Sequence, residues 1–210
     1  MRATWYFDFI SPFAYLHFKQ FAQLPAGLEI ECVPVLFAGL LKAHGHKGPA
    51  EIAQKRRQTY RMCVWLAQEQ GIEMRFPPAH PFNPLHALRL ALAAGAAQGA
   101  VEAIFDTIWK RGEDVNAPAT FAALARTLGV ANAADAIADP AVKQKLAANT
   151  ERALARGVYG VPTFDFAGEL FWGADAMGMM RAFATDPALF KHGEYARVDA
   201  LPAAATRKEA

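Results

Sequence analysis

The sequence predicts an α/β protein whose sheet is formed by both ends of the chain and interrupted by a long helical stretch. Near the N-terminus, an aromatic and β-branched run leads directly into a helix, and a second strand ending by residue 36 completes a β-α-β unit. Residues from about 38 to 155 show helical spacing of apolar side chains, with glycine and proline between segments. A strand hairpin and a final helix follow, so the chain returns to the sheet after the helical stretch.

The first strand and the first helix meet at a serine. The run Trp5–Ile10 carries one charge among aromatic and β-branched residues, which is typical of a buried strand. Ser11 is a good N-cap residue, and Pro12 suits the first helical position because its missing N–H costs nothing there. The free amides of such a first turn favour an anion or a thiolate. The serine is therefore interpreted either as a plain N-cap or as a hydroxyl beside a bound anion.

The second strand is followed by a helical region that contains one proline-rich loop. Residues 28–36 alternate and then become apolar, as expected of a strand, and a short helical piece with Lys42 follows. The loop 76–84 has low helical potential, and such a loop either crosses between helices or lines a pocket. The longer predicted helices cover residues 50–70, 85–98, 101–111, 118–128 and 140–156, and a short one covers residues 133–138.

The last part of the chain is predicted to complete the sheet. The run Val161–Phe166 is a strand pattern whose second residue is proline, and proline belongs at the first position, the edge or a bulge of a strand. A cis Val161–Pro162 bond fits, either as a fold device alone or as part of a site. Residues 169–172 form the partner strand of a hairpin, and Gly173 begins the final helix.

Composition excludes several classes of function. Apolar residues make up 53% of the 210 residues and the net charge is only +2, which favours a packed domain and gives no support for nucleic-acid binding. No apolar run is long enough to span a membrane, and no signal peptide is predicted, so we expect a cytoplasmic protein without a membrane partner. Cys32 and Cys63 are far apart and lack metal-ligand spacing, so they are interpreted as free structural thiols in a reducing compartment.

Four segments together resemble a known family in the family's own order. They resemble the DsbA-like branch of the thioredoxin superfamily, and within it they are most similar to the 2-hydroxychromene-2-carboxylate isomerases and the kappa-class glutathione transferases. The likeness covers nearly the whole chain, and the set is specific although each piece alone is not. The segments are Phe7–Leu16, Phe82–Leu85, Gly160–Phe164 and Phe171–Asp175.

The resemblance implies a fold and a division into domains. The implied α/β fold is a thioredoxin fold with a large all-helical insertion domain between the N-terminal βαβ unit and the C-terminal ββα unit. Residues 1–37 and 157–201 would form the discontinuous thioredoxin-like domain, and residues 38–156 the inserted helical domain. The alanine-rich, charged tail 202–210 is expected to fray.

The resemblance also implies glutathione as the cofactor. Thiol oxidoreductases of this superfamily have cysteines where this chain has Ser11 and Ala14, so dithiol redox chemistry is lost and a thiol must come from outside. The matching serine of the family hydrogen-bonds the glutathione sulfur. The implied cofactor-binding residues lie at the first helix start, the proline-containing strand and the end of the hairpin, and they are Ser11, Pro12, Val161, Pro162, Trp172, Gly173, Ala174 and Asp175.

Two of these residues have specific implied roles, and one neighbour departs from the family. The backbone of Val161 would pair with the cysteinyl part of glutathione, as one strand adds to another. Asp175 would hold the ammonium of the γ-glutamyl end, or it would act only as an N-cap. The family usually has arginine where this chain has Ala176, which weakens the expected hold on that end.

Substrate contacts are implied for Lys42, Tyr60 and Asn83. Lys42 would meet the substrate carboxylate or else be a solvated surface lysine. Asn83 would act near the thiol or the substrate, or else satisfy loop backbone. Tyr60 would help to form an apolar slot for an aromatic ring. Residues 50–52 match the family's substrate-contacting positions poorly.

Three functions are compatible with this reading of the chain. The first is glutathione-dependent isomerisation of 2-hydroxychromene-2-carboxylate, or a close aromatic analogue, in the degradation of aromatic compounds such as naphthalene. The second is a kappa-like glutathione transferase that forms a stable conjugate. The third is a thioredoxin-fold binding module without catalysis. Relatives of this kind are usually homodimers, so a homodimer is expected.

Overall fold

Four strands form one mixed sheet in the order β2–β1–β3–β4 in the computed structural model, which describes residues 1–205. β1 pairs in parallel with β2 and antiparallel with β3, so that Tyr6 lies opposite both Val33 and Thr163. β3 and β4 form the predicted hairpin. The strands are β1 Arg2–Phe7, β2 Glu29–Pro34, β3 Thr163–Phe166 and β4 Glu169–Trp172.

Helices account for most of the rest of residues 1–205. Seven of them, α2 to α8, lie between β2 and β3, which confirms the α/β class with a helical insertion. None of the helices in the described part of the chain is long and apolar enough to cross a membrane. The helices are α1 Pro12–Phe18, α2 Phe37–Ala43, α3 Ala53–Glu69, α4 Leu85–Ala93, α5 Gln98–Phe105, α6 Pro118–Thr127, α7 Ala133–Ala138, α8 Pro140–Ala155, α9 Met177–Thr185 and α10 Gly193–Asp199, with a π-helical extension of α5 at Asp106–Lys110.

Successive side chains of a strand point to opposite faces of the sheet. In this sheet large apolar side chains are buried on both faces. On one face, Trp5 and Phe7 are fully buried and stack with ring centroids 4.5 Å apart, in contact with Phe105 from α5. On the other face, Tyr6 packs in a second cluster that includes Leu40 of α2 and residues of α8. Burial of each such large side chain stabilises the fold by roughly 1.5–3 kcal/mol.

Several element boundaries differ from the predicted ones for local reasons. The first strand begins at Arg2 and ends at Phe7 rather than covering Trp5–Ile10, because the Asp8 side chain accepts a hydrogen bond from the amide of Ile10 and turns the chain. The predicted helix 85–98 ends at Ala93, where Gly95 with φ of 79° stops it. The short helix α10 was not predicted.

The domain division remains a prediction. The helices α2 to α8 begin at Phe37 and end at Ala155, close to the predicted insertion of residues 38–156. One buried cluster nevertheless contains both Phe7 of the sheet and Leu88 of α4, so packing is continuous across the proposed boundary. The end of the predicted frayed tail, residues 206–210, lies outside the described residues.

A threonine connects α8 to the beginning of α2. The buried Thr150 hydroxyl donates to the carbonyl of Leu146 at 2.9 Å within α8, and its oxygen accepts from the amide of Leu36 at 3.0 Å. Leu36 is the N-cap residue of α2 and makes no side-chain cap. The threonine therefore satisfies a backbone amide that the local sequence leaves without a partner.

The Thr150→Val variant is expected to lower the free energy of unfolding by about 1–2 kcal/mol, because the partly buried amide of Leu36 loses its acceptor. The matched control is Thr127→Val, since Thr127 also donates to the carbonyl four residues earlier, at 3.1 Å, but is exposed and accepts nothing among the described residues. The control should change stability by less than about 0.5 kcal/mol. Urea unfolding of both variants measures the difference, and equal effects would contradict the role assigned to Thr150.

Candidate functional site

Three of the predicted site segments meet at one edge of the sheet. β1 runs antiparallel to β3 with Tyr6 opposite Thr163, so the turn after β1 lies beside the residues that precede β3. Trp172, the last residue of β4, pairs with Thr163, and the next amide, of Gly173, donates to the carbonyl of Pro162 at 2.9 Å. The start of α1, the proline segment and the residues after β4 therefore share this edge.

Ser11 occupies the N-cap position of α1, as predicted. Its hydroxyl oxygen accepts from the amide of Ala14 at 3.2 Å, and Pro12 holds the first helical position. Only 8% of Ser11 is exposed. The N-cap bond uses the oxygen as an acceptor, and within residues 1–205 the hydroxyl hydrogen has no protein acceptor. The hydroxyl can therefore donate to a bound group without giving up its capping role.

The predicted cis Val161–Pro162 bond is present and lies at the start of β3. The segment is held by a buried hydrogen bond of 2.8 Å from the Thr163 hydroxyl to the carbonyl of Gly160. Neither the amide nor the carbonyl of Val161 has a hydrogen-bond partner among the described residues. These groups are the ones that an added extended segment would use.

The Trp172 side chain lies against the same segment. About half of it is exposed, and its ring centroid is 5.1 Å from that of Tyr159. A Cβ atom on Gly160 would come within 2.5 Å of the indole Nε1, so the indole can lie here only because this residue is glycine. The rings of Tyr159 and Trp172 thus form an exposed aromatic surface beside the cis proline.

The residues after β4 form a tight turn against α1. Gly173 has a φ of 91°, which favours glycine, and Ala174–Ala176 make one 3₁₀ turn that packs against α1. Asp175 is exposed and caps neither this turn nor α9 among the described residues. The alternative role of Asp175 as an N-cap therefore receives no support from its hydrogen bonds.

Two residues that were not predicted hold the turn between β1 and α1. The buried Trp109 indole donates to the carbonyl of Phe9 at 2.8 Å, and the His80 imidazole Nε2 lies 2.8 Å from the carbonyl of Ile10. Because a carbonyl only accepts, the Nε2 of His80 carries the hydrogen. Burial lowers the pKa of His80, and the bond to Ile10 opposes this shift. A neutral imidazole therefore positions the residue next to Ser11.

Tyr60 is tied to this histidine. Its hydroxyl lies 2.6 Å from Nδ1 and 2.8 Å from the carbonyl of His80, and burial raises its pKa. With Nε2 protonated, Nδ1 and the His80 carbonyl are both acceptors, so the single hydroxyl hydrogen of Tyr60 is shared between them. The structure thus brings Tyr60 toward the Ser11 turn through His80, with its hydroxyl already engaged.

The other two predicted substrate residues are exposed. The side-chain oxygen of Asn83 accepts a hydrogen bond from the amide of Leu85 at 3.1 Å. This is the alternative role considered for Asn83, in which its amide group satisfies the loop backbone. Lys42 lies in the last turn of α2, and the amide at the other end of that helix, of Phe37, contacts the turn after β1. The two ends are about 7.5 Å apart along the axis, at 1.5 Å per residue.

The cysteines take no part in this edge. Cys32 and Cys63 are buried free thiols, and burial raises the pKa of each to about 12. Thiols of this kind are inert at neutral pH. Two cavities, of about 370 and 350 Å³, lie along the outer side of β2 and between α5 and α6, and no predicted site residue lines either one.

Only weak signals in the sequence could have identified the residues that hold the turn. Asp8 is the single charge in an apolar strand pattern, and a lone charge there needs a buried partner or a function. His80 lies in a loop already singled out for its proline content. Trp109 resembles any core residue of a helix, and its hydrogen bond is made across 100 positions of sequence.

Comparisons with known proteins agree with this architecture. A family model described as a DSBA-like thioredoxin domain matches residues 4–183. The chain is 28% identical to a 2-hydroxychromene-2-carboxylate isomerase of Pseudomonas putida, over 87% of this chain and 93% of that one. It is 24% identical to glutathione S-transferase kappa 1 of Homo sapiens, over 83% and 87% of the two chains. A solved structure of a 2-hydroxychromene-2-carboxylate isomerase superposes with a TM-score of 0.77 at 24% identity, over 91% and 97%.

The Trp109→Phe variant is expected to lose about 1–3 kcal/mol of unfolding free energy, because the Phe9 carbonyl keeps its burial and loses its donor. Trp65→Phe is the control, since Trp65 is 53% exposed and its loss should cost less than about 0.5 kcal/mol. Urea unfolding followed by far-ultraviolet circular dichroism measures both. A Trp109→Phe variant as stable as the control would show that the indole bond does not hold the turn.

Proposed function

Because the chain belongs to the DSBA-like thioredoxin domain family, we propose that it is a glutathione-dependent isomerase of 2-hydroxychromene-2-carboxylate or a close aromatic analogue. The observation that carries the proposal is the Ser11 hydroxyl at the start of α1, with an uncommitted hydrogen, where thiol oxidoreductases have a cysteine. Ser11 is the only serine of the chain. The chain's own thiols are buried with raised pKa values, so the reactive thiol has to be supplied by a cofactor.

The residues at this edge fit glutathione in three respects. The Ser11 hydroxyl can donate to a thiolate, and the unpaired amide and carbonyl of Val161 can pair with the cysteinyl backbone. Asp175 is exposed within the turn after β4 and can take the γ-glutamyl ammonium. Ala176 supplies no charge where the family usually has arginine, so we expect weak binding of that end.

Bound glutathione would supply a thiolate whose reversible addition forms a carbon–sulfur bond to the conjugated substrate. In the ring-opened adduct, in which the ring carbon–oxygen bond is broken, rotation about a carbon–carbon bond would become possible, and cleavage of the carbon–sulfur bond would release the glutathione unchanged, so that atoms and oxidation states balance. Ser11 stabilises the sulfur anion by donating a hydrogen bond, which lowers the thiol pKa. Trp109 and His80 hold the turn that carries Ser11, so the donor is already oriented before substrate binds. Lys42 is proposed to attract the substrate carboxylate.

Further properties are proposed with this activity. An aromatic carboxylate partner is proposed from the names of the relatives. A homodimer is proposed because proteins of the family that the sequence resembles are usually dimers. We propose a cytoplasmic location because both cysteines are unpaired, as is usual in a reducing compartment. We also propose that the thioredoxin-like part consists of residues 1–37 and 157–201.

An ultraviolet time course of 2-hydroxychromene-2-carboxylate, with and without glutathione, tests the activity. We expect an isomer equilibrium to be reached only with protein and glutathione together, with every free thiol still present at the end. Loss of thiol into a conjugate would instead support a kappa-like transferase, which the 24% identity to glutathione S-transferase kappa 1 keeps as the second candidate. No reaction and no glutathione binding would indicate a binding module.

Removal of the hydroxyl tests the role of Ser11. In Ser11→Ala we expect glutathione to bind while its thiolate absorbance at neutral pH and the turnover fall about tenfold or more, because a hydrogen bond to a charged group contributes about 1.5–3 kcal/mol and 1.4 kcal/mol is a factor of ten.

A second variant separates the effect of losing the hydroxyl donor from the effect of losing the helix cap. Ser11→Gly also lacks the hydroxyl, yet glycine caps a helix almost as well as serine, so this variant should stay within a few tenths of a kcal/mol of wild-type stability. Both variants should lose thiolate absorbance and turnover alike. Unchanged thiolate and turnover in either variant would return Ser11 to the role of a plain N-cap.

A further inference from the structure

Asp8 is a fully buried acid directly beneath the proposed site. Its exposed fraction is 0%, and it follows the last residue of β1 and precedes Ser11 by three positions. A buried carboxylate costs several kcal/mol of desolvation unless it is hydrogen-bonded or neutralised. The mechanism proposed above gives this group no part, so its burial needs an explanation.

The two carboxylate oxygens of Asp8 bind two separate elements. Oδ1 accepts from the amide of Ile10 at 3.0 Å, within the turn that leads to Ser11. Oδ2 accepts from the amide of Phe37 at 2.9 Å, the first residue of α2. One side chain therefore joins the Ser11 turn to α2, the helix that carries Lys42. The first residue of that helix, Phe37, lies 29 positions after Asp8 in the sequence. Only a group with two acceptor oxygens can make both bonds.

No charged side chain of the described residues compensates for Asp8. Burial raises the pKa of Asp8 to about 7, and hydrogen bonds from the backbone amides of Phe37, Ile10 and Phe9 oppose the rise. Of the titratable groups on neighbouring segments, His80 contacts Ile10 through a carbonyl, and Lys42 lies at the far end of α2. Neither contributes to the Asp8 pKa.

The direction of the pH dependence follows from this raised pKa. Folding favours the protonated acid, so the contribution of Asp8 to stability is fully present below about pH 3.8, its ordinary pKa, and is lost as the pH rises through about 7. As the pH rises through the same interval, Asp8 loses its proton, and both of its side-chain oxygens become full hydrogen-bond acceptors. The protonated acid has one carbonyl oxygen and one hydroxyl, so it holds one of the two amides less well.

We propose that Asp8 is a positioning residue whose carboxylate ties the Ser11 turn to the first turn of α2, and whose protonation loosens that tie. The arrangement of Ser11 relative to α2 would thus be set by one ionisable group near neutral pH. This inference rests on the proposed function of Ser11 for its catalytic consequence. Its structural consequence is that the backbone amides of Ile10 and Phe37 titrate together, and this does not depend on the proposed function.

The structural consequence is measured by nuclear magnetic resonance of the full chain labelled with nitrogen-15. In the wild-type protein, the amides of Ile10 and Phe37 should shift together with a common midpoint near pH 7. The shared titration should disappear in Asp8→Asn and persist in Asp114→Asn, which removes an exposed carboxylate that accepts from the amide of Asn116 at 2.9 Å. Absence of a common midpoint in the wild type, or its persistence in Asp8→Asn, overturns the proposal.

The catalytic consequence is measured as kcat/KM against pH at saturating glutathione. The wild-type profile should contain a step near pH 7 that Asp8→Asn lacks, with about tenfold lower kcat/KM at pH 8, the loss expected for one charge-assisted hydrogen bond. A glutathione-dependent wild type with an identical profile in Asp8→Asn overturns the positioning role. No glutathione dependence in the wild type at any pH refutes the proposed function instead, and the amide titration then still decides whether Asp8 forms the tie.

Discussion

Backbone groups buried in a turn need partners, and the turn from Asp8 to Ser11 obtains its partners from two distant parts of the chain and from the side chain of its own first residue. Trp109 donates to Phe9, His80 donates to Ile10, and the Asp8 carboxylate accepts from Ile10. A regular strand or helix satisfies its own backbone, whereas a strand-to-helix turn does not. The position of the serine hydroxyl therefore depends on residues of the insertion, His80 in a loop and Trp109 in the π-helical extension of α5, that lie far from it in sequence.

This dependence gives the helical insertion a role beyond covering the sheet. The Asp8 carboxylate reaches α2, and Thr150 of α8 satisfies the amide of Leu36 immediately before that helix. The start of α2, the first helix of the insertion, is thus held by the side chains of Asp8, which follows β1, and of Thr150 in α8. A group carried by α2, such as Lys42, is consequently held in a defined relation to the start of α1.

The replacement of both redox cysteines changes what the edge of the sheet can do. A hydroxyl cannot exchange with a disulfide, yet it can stabilise a sulfur anion that another molecule brings. The cis proline segment keeps an unpaired backbone amide and carbonyl at Val161 in the same place. The edge therefore lacks an internal redox couple, and its hydroxyl and unpaired backbone groups are the ones proposed above to bind an extended, thiol-containing ligand.

Strong local patterns were predicted well, and features that depend on other elements were not. The hairpin Glu169–Trp172 with its partner and the order of strand, helix and strand near the N-terminus agree with the structure because alternation and capping are local signals. The first strand was placed too far along the chain, since the turn at Asp8 depends on its own side-chain bonds as well as on pairing with β2 and β3. The helix α10 lacks a strong apolar face and gave no signal.

By itself, the sequence determined the α/β class, the serine at the helix start, the absence of a cysteine there and the proline that becomes cis. Each of these is a property of one residue or of a short run, and its physical preference acts locally. Only the tertiary structure decided that Trp109, His80 and Asp8 converge on one turn, and that the hydroxyl of Tyr60 is engaged by His80. Such contacts join residues tens of positions apart, and their geometry is set by packing of the whole core, which no local pattern encodes.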